Sequence, residues 1–159
     1  MNETSKTLTL VYLRRGDEIL LGYKKRGFGM GQWNGLGGKV EEGEDIGLGA
    51  RREVKEEVGI EVGAMRKFAV IECDYRNVEK PGVIEIHMFE SFDFKGEAVE
   101  TEEIEPKWFK VSEYPFDKSW PDDRYWFPFY IEGKTFRGSF LFDGYDKITS
   151  YEIIEELID

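Results

Sequence analysis

Near the start of the chain, apolar positions recur in two short runs, "TLTLVYL" and "EILLGY". They flank the turn residues Arg15-Gly16-Asp17 and predict an antiparallel hairpin. A glycine-rich stretch from Gly27 to Gly38 follows, carrying Phe28, Trp33 and Asn34, and predicts a loop whose backbone visits conformations closed to other residues. From Asp45 to Val58 the period becomes helical. Ala50, Val54 and Val58 form an i, i+4, i+8 stripe that can bury against a sheet, and Gly59 stands where a left-handed residue ends a helix. Long alternating runs resume with "MRKFAVIECDY" and "GVIEIHMFESFDF", separated by the turn Asn77 to Gly82, and a further strand is predicted around "PKWFKV". In "WPDDRYWFPFYIEGK" a helix is expected from Asp122 or Asp123, its acidic start complementing the macrodipole, with Pro128 opposing its continuation. "TFRGSFLFDG" reads as a strand. "ITSYEIIEELID" reads as a closing helix with Ile153, Ile154 and Leu157 on one side.

Strands interleaved with two or three helices over 159 residues, 40% of them hydrophobic, give an α/β chain with one core, and a single domain over 1–159 is expected. The 12 Phe, 4 Trp and 8 Tyr supply more flat apolar surface than such a core requires, so part of it should line a pocket. The net charge of −11 excludes wrapping of a nucleic-acid polymer, because backbone binding depends on clustered Lys and Arg, and the largest basic cluster is Lys24-Lys25-Arg26. Cys73 is the only cysteine, so no intrachain disulfide forms. The start "MNETSKTLTL" lacks a leader pattern and "YWFPFYI" is too short to span a bilayer; a soluble, cytoplasmic, monomeric protein with no membrane partner is expected.

The helical segment changes the picture further. At ~100° per residue, Glu53, Glu56 and Glu57 share a face ~100° wide. Like charges at these spacings repel by roughly a few tenths of a kcal/mol per pair in an isolated helix. A solvated acidic face describes most such runs. Here, however, Gly37 and Gly38 lead into the segment and could expose a backbone carbonyl, so a divalent cation held by hard oxygen ligands is the alternative. Glu44 falls on the opposite side and suits a structural pairing with Arg51 or Arg52.

Gly38, Glu44 and the run Arg52-Glu53-Val54-Lys55-Glu56-Glu57-Val58-Gly59-Ile60 match the Nudix box at every specified position. The chain thus resembles the Nudix hydrolases. The resemblance implies a mixed β-sheet sandwiched between helices and hydrolysis of a nucleoside diphosphate linked to another group. It also implies Mg²⁺, or Mn²⁺, held by Glu53 and Glu57, with Glu56 adding to metal binding or proton transfer and the Gly38 carbonyl completing the site.

Outside the box, "GYKKRGFGMGQWNGLGGKV" and "WPDDRYWFP" closely resemble the mammalian-type MutT homologues, from Leu8 almost to the chain's end. These hydrolyse oxidised purine nucleoside triphosphates such as 8-oxo-dGTP and 2-hydroxy-dATP to monophosphate and pyrophosphate, which sanitises the nucleotide pool. Carried over, Asn34 would hydrogen-bond the base, Phe28 and Trp120 would form its aromatic walls, and Asp122 and Asp123 would read its polar edge. Thr9 and Lys24 fall at pocket positions, and Glu103 matches an additional metal-site carboxylate. Asp122 and Asp123 also fit the simpler role of helix cap and first-turn acid. One position departs: small Cys73 stands where the family places a large apolar residue, which implies a roomier or more polar pocket. A broader hydrolase of nucleoside triphosphates, dinucleoside polyphosphates or methylated purine nucleotides is the alternative chemistry. A non-catalytic nucleotide sensor is the alternative class, disfavoured because such a protein has no use for three mutually repelling carboxylates.

Overall fold

A computed structural model describes residues 4–158. Ten strands and two α-helices follow one another as β1 (Thr4–Arg15), β2 (Glu18–Lys24), β3 (Trp33–Asn34), α1 (Ile46–Val58), β4 (Glu61–Val62), β5 (Arg66–Arg76), β6 (Gly82–Ser91), β7 (Phe94–Lys95), β8 (Ile104–Lys110), α2 (Asp123–Ile131), β9 (Phe136–Asp143) and β10 (Lys147–Glu155). The main sheet runs β10-β9-β5-β6-β1-β2-β3, with β8 also paired to β2. It is mixed, because β1 lies parallel to β6 and β5 parallel to β9 while the other neighbours are antiparallel.

Both faces of this sheet are covered, which is why Val11 to Leu13 and Ile19 to Leu21 are apolar without interruption. Alternation then divides the side chains. Val11, Leu13 and Leu20 pack with Ala50, Val54 and Val58 of α1 on one face, while Tyr12, Ile19 and Leu21 pack with Phe68, Trp126 and Tyr130 on the α2 face. The apolar stripe expected of α1 is therefore its buried side. Asp45 caps the helix, accepting from the Leu48 backbone N–H at 3.1 Å, and Gly59 ends it at φ +79°.

Pro128 sits inside α2 without stopping it before Ile131, removing only one donor from a nine-residue helix whose aromatic side is held by the core. The last segment corrects the sequence-based expectation, because β10 is a strand and no closing helix forms there. Its pairing with β9, Tyr151 opposite Phe140 and Ile153 opposite Gly138, satisfies the backbone that a helix would have satisfied internally. Tyr151 stacks on Tyr125 and Phe140, with centroids 4.4 and 5.8 Å away, so packing on a neighbouring strand overrides the local helical pattern.

β1 and β2 pair only beside their turn, at Leu13–Leu20, Arg14–Ile19 and Arg15–Glu18. Beyond that they splay, and the glycine-rich loop enters the gap. Leu36 bridges to Val11 and Lys39 to Leu8 on one side, while Asn34 pairs with Gly22 on the other. The fit is tight at Gly37, where a Cβ would lie 1.8 Å from the Thr9 carbonyl oxygen. Only glycine lets the loop lie so close on β1, and this opened seam positions the site.

Candidate active site

Two cavities open from the seam. The first, of about 310 Å³, lies between the β1, β5 and β6 side chains, the loop and the start of α2. Every residue assigned to base or pocket contacts lines it: Thr9, Lys24, Phe28, Asn34, Trp120, Asp122 and Asp123. The second, of about 560 Å³, is bounded by Gly38, Glu53, Glu56, Glu57 and Glu103 together with Lys24 and Arg26. Lys24, Gly37, Gly38 and Glu57 border both, so the two spaces form one continuous cleft.

In the second cavity the carboxylates stand among cations. Arg52 donates to Glu44 through Nε at 2.7 Å and Nη2 at 2.9 Å, and its Nη1 reaches Glu53 at 3.0 Å and Glu56 at 3.2 Å. Of the two structural partners considered for Glu44, Arg52 is therefore the one used. Arg51 instead donates to the Gly63 carbonyl at 2.8 and 3.0 Å. The hydrogen bonds from Arg52 hold the Glu44 carboxyl down at about 2. Gly49 makes this pairing possible, since a Cβ there would fall 2.8 Å from Glu44 Oε1. Glu103 pairs with Arg26 at 3.2 Å.

Glu57 accepts from the Gly37 backbone N–H at 2.7 Å, yet burial pushes its pKa up to about 8; burial also raises that of Glu53. The Gly38 carbonyl accepts from Thr9 N–H at 2.9 Å and, over a longer 3.4 Å, from the Thr9 hydroxyl, a rotatable donor that a stronger ligand can displace. Among the described residues, no three Asp, Glu, His or Cys side chains are close enough together to hold one ion; Arg52 Nη1 stands between Glu53 and Glu56, and Arg26 holds Glu103. The donor set nonetheless fits a hard divalent cation. It contains only carboxylate and carbonyl oxygens, and a cation beside Glu53 and Glu57 would offset the burial that disfavours their charged forms.

The first cavity is built differently. Trp33 bridges to Ser119, which brings Trp120 alongside the loop. Phe28 and Trp120 lie 5.1 Å apart between centroids, so no base fits between them. They make one continuous wall. Gly29 lies against Trp120 at φ +85°, a backbone conformation that residues with a side chain rarely adopt. Asn34 Oδ1 accepts from Gly35 N–H at 2.9 Å, so the side-chain NH₂ is the group it has to offer a ligand.

Asp122 and Asp123 are 6% and 2% exposed. Asp122 has helical dihedrals and its side chain makes no capping hydrogen bond, so the simple cap reading fails for it. Asp122 instead accepts from Trp126 Nε1 at 3.1 Å, and Asp123 accepts from the Tyr114 hydroxyl at 2.6 Å. Burial raises both carboxyl pKa values, and the neighbouring Asp122 charge raises Asp123 further.

Cys73 is buried and lines this cavity, beside Tyr75, Ile84, Ile86 and Met88, which sequence reasoning did not single out. Alternation offered a signal for one of them: Tyr75 is two residues beyond Cys73 on the same strand and so shares its face. Ile84 is the direct cross-strand partner of Cys73, a fact that only the pairing supplies. His87 is buried against Glu85 at 2.6 Å and borders neither cavity. No described helix is long and apolar enough to cross a membrane.

Residues 5–130 match the NUDIX domain model. The chain is 44% identical to the oxidized purine nucleoside triphosphate hydrolase of mouse, Mus musculus, over 152 residues and 96% of each chain. It is 41% identical to the protein of the same name from zebrafish, Danio rerio, again with 96% of each chain covered. Among solved structures, a MutT protein from Bacillus halodurans superposes with a TM-score of 0.83 at 24% identity, covering 93% of this chain and 97% of the other, a likeness of fold.

Proposed function

The chain belongs to the NUDIX family, and from that premise we propose that it hydrolyses oxidised purine nucleoside triphosphates, such as 8-oxo-dGTP and 2-hydroxy-dATP, to monophosphate and pyrophosphate. The names of the mouse and zebrafish relatives support this reading. The observation that carries it is the continuous cleft: an enclosed, aromatic cavity sized for a base opens directly into one ringed by carboxylates and cations.

On this reading the base lies against the Phe28–Trp120 wall, where stacking gives affinity but little discrimination. Asn34 and the aspartate pair supply the selection. Two adjacent carboxyls in a sealed pocket do not both ionise cheaply, so the pair holds a proton and presents a donor beside an acceptor. Moving that proton lets the same pair read purines of different donor pattern. Lys24, at the junction with Thr9, steadies the polyphosphate as it leaves the first cavity for the second.

Glu53, Glu56, Glu57 and Glu103, with the Gly38 carbonyl, would hold Mg²⁺ or Mn²⁺. When bound, the metal neutralises phosphate charge and activates the attacking water. Glu56, exposed at the mouth, either adds an oxygen ligand or takes the proton from water.

The test is a panel of triphosphates with pyrophosphate detection. A clear preference for 8-oxo-dGTP or 2-hydroxy-dATP over dGTP and dATP is expected, and equal turnover of all four sinks the proposal. Cys73, small and at the cavity lining, favours one second reading, a broader hydrolase of unmodified or methylated purine nucleotides. The same panel separates the two.

A further inference from the structure

The hairpin of β9 and β10 lies beyond residue 130, where the matched domain ends. Its turn nevertheless reaches the base cavity. The Tyr145 ring lies 5.3 Å from Tyr75, 5.4 Å from Phe28 and 6.5 Å from Trp120, and all three of these rings line the cavity. Tyr145 itself remains 41% exposed and outside the lining. Its turn is fixed from behind. Gly144 N–H donates to the Arg76 carbonyl at 2.8 Å, and Asn77 Nδ2 donates to Asp143 Oδ1 at 2.7 Å.

Phe28 is the part of the aromatic wall that needs support. It is 47% exposed and lies between Gly27 and Gly29, both at positive φ, at the far end of a loop closed at its base by Lys24 N–H to the Gln32 carbonyl and Gly31 N–H to the Lys24 carbonyl. Among the described residues its ring contacts are Trp120, Tyr145 and, as a cation over its face at 5.3 Å, Lys6. A backbone with that much freedom does not hold an aromatic side chain in one place by itself. The edge-to-face contact with Tyr145, at an interplanar angle of 75°, supplies a second point of attachment from a rigid hairpin.

We propose that Tyr145 is a positioning residue of the base site: it holds Phe28 against Trp120, and so sets affinity for aromatic bases without entering the chemistry. This rests on the reading of the first cavity as the purine site. It also assigns a part in substrate binding to a hairpin outside the matched domain.

The experiment compares the full-length protein with Tyr145→Ala, Tyr145→Phe and Phe28→Ala on 8-oxo-dGTP and dGTP, recording KM, kcat and Tm. Tyr145→Ala is expected to raise KM for both by about threefold to tenfold, the range of one aromatic pair. Its kcat should stay within about twofold and its Tm within a few degrees, and Tyr145→Phe should restore KM because the ring, not the hydroxyl, makes the contact. Phe28→Ala should raise KM at least as much, and adding Tyr145→Ala to it should add little. If Phe28→Ala leaves KM unchanged, the cavity is not the base site and the underlying reading fails. If Phe28→Ala raises KM while Tyr145→Ala does not, the purine-site reading stands and the positioning role is overturned. A loss of kcat in parallel with a large fall in Tm would make Tyr145 a packing residue only, which overturns it too.

Discussion

Glu57 on α1 and Asp122 at the start of α2 are both carboxylates forced out of water, and the protein treats them in opposite ways. Around Glu57 the helical acids Glu53 and Glu56 share Arg52, Glu103 on the other side of the cavity pairs with Arg26, and the whole opens to solvent. Around Asp122 they come from consecutive residues beneath aromatic rings, with tyrosine and tryptophan as hydrogen-bond donors and no cation beside them. The first arrangement invites a mobile positive charge. The second can relieve its repulsion only by keeping a proton. On the proposed reading, one cleft thereby separates bond breaking from base reading, using the same functional group for both.

Three changes would break or sharpen that contrast. The largest effect is expected from Glu57→Gln, which keeps the shape and the hydrogen bond from Gly37 but removes a charge. Metal-dependent pyrophosphate release should fall by about 10²–10⁴-fold while nucleotide binding partly survives, measured by turnover beside equilibrium titration. Undiminished turnover would show that the acidic side of the contrast is misplaced.

Asp122→Asn comes next. It should change the ratio of kcat/KM between purines of different donor pattern by about tenfold or more while leaving the best remaining substrate well hydrolysed. An equal fall for every base would return Asp122 to a structural role.

The smallest effect concerns stability. The Asp122 carboxyl is raised from its ordinary 3.8 to about 6 in the folded protein, so its contribution is fully present below about pH 4 and is lost as pH rises through about 6. Wild-type Tm should therefore decline by about 3–8 °C from this source between pH 4 and 8, and Asp122→Asn, which has no proton to lose, should flatten the decline. Parallel pH profiles for the two proteins would show that Asp122 itself does not carry the titration, leaving any shared proton on Asp123.

The two regions also differed in how plainly the sequence displayed them. The acidic face lies within one contiguous helix, so its spacing is written in order, and Ala50, Val54, Val58 and Gly59 took their expected places. The base cavity draws on β1, β5, β6, a loop and α2, and period alone does not say which strands become neighbours. Trp120 and the aspartates were reached through the resemblance of "WPDDRYWFP", since local pattern alone reads the aspartates as a helix start, and all three line the cavity. Ile84, Ile86 and Met88 were not, since an aliphatic residue reads the same on any buried strand. Gly49 was opaque for a related reason: its purpose is room for the Glu44 side chain, a contact across a turn that no local preference reports. At the end of the chain, Ile153 and Ile154 satisfied a helical pattern only until an open strand edge competed for the same backbone.

The closeness of Gly37 to the Thr9 carbonyl has a consequence of scale. With the loop seated on β1 backbone to backbone, and Glu57 anchored to the same glycine, the floor of the base cavity at Thr9 and the carboxylates are tied together through one residue. On the proposed reading the cleft is a caliper. A purine settled against Phe28 and Trp120 delivers its sugar and phosphates at a set reach, so the position of the cut along the chain of phosphates is measured from the base rather than chosen at the metal.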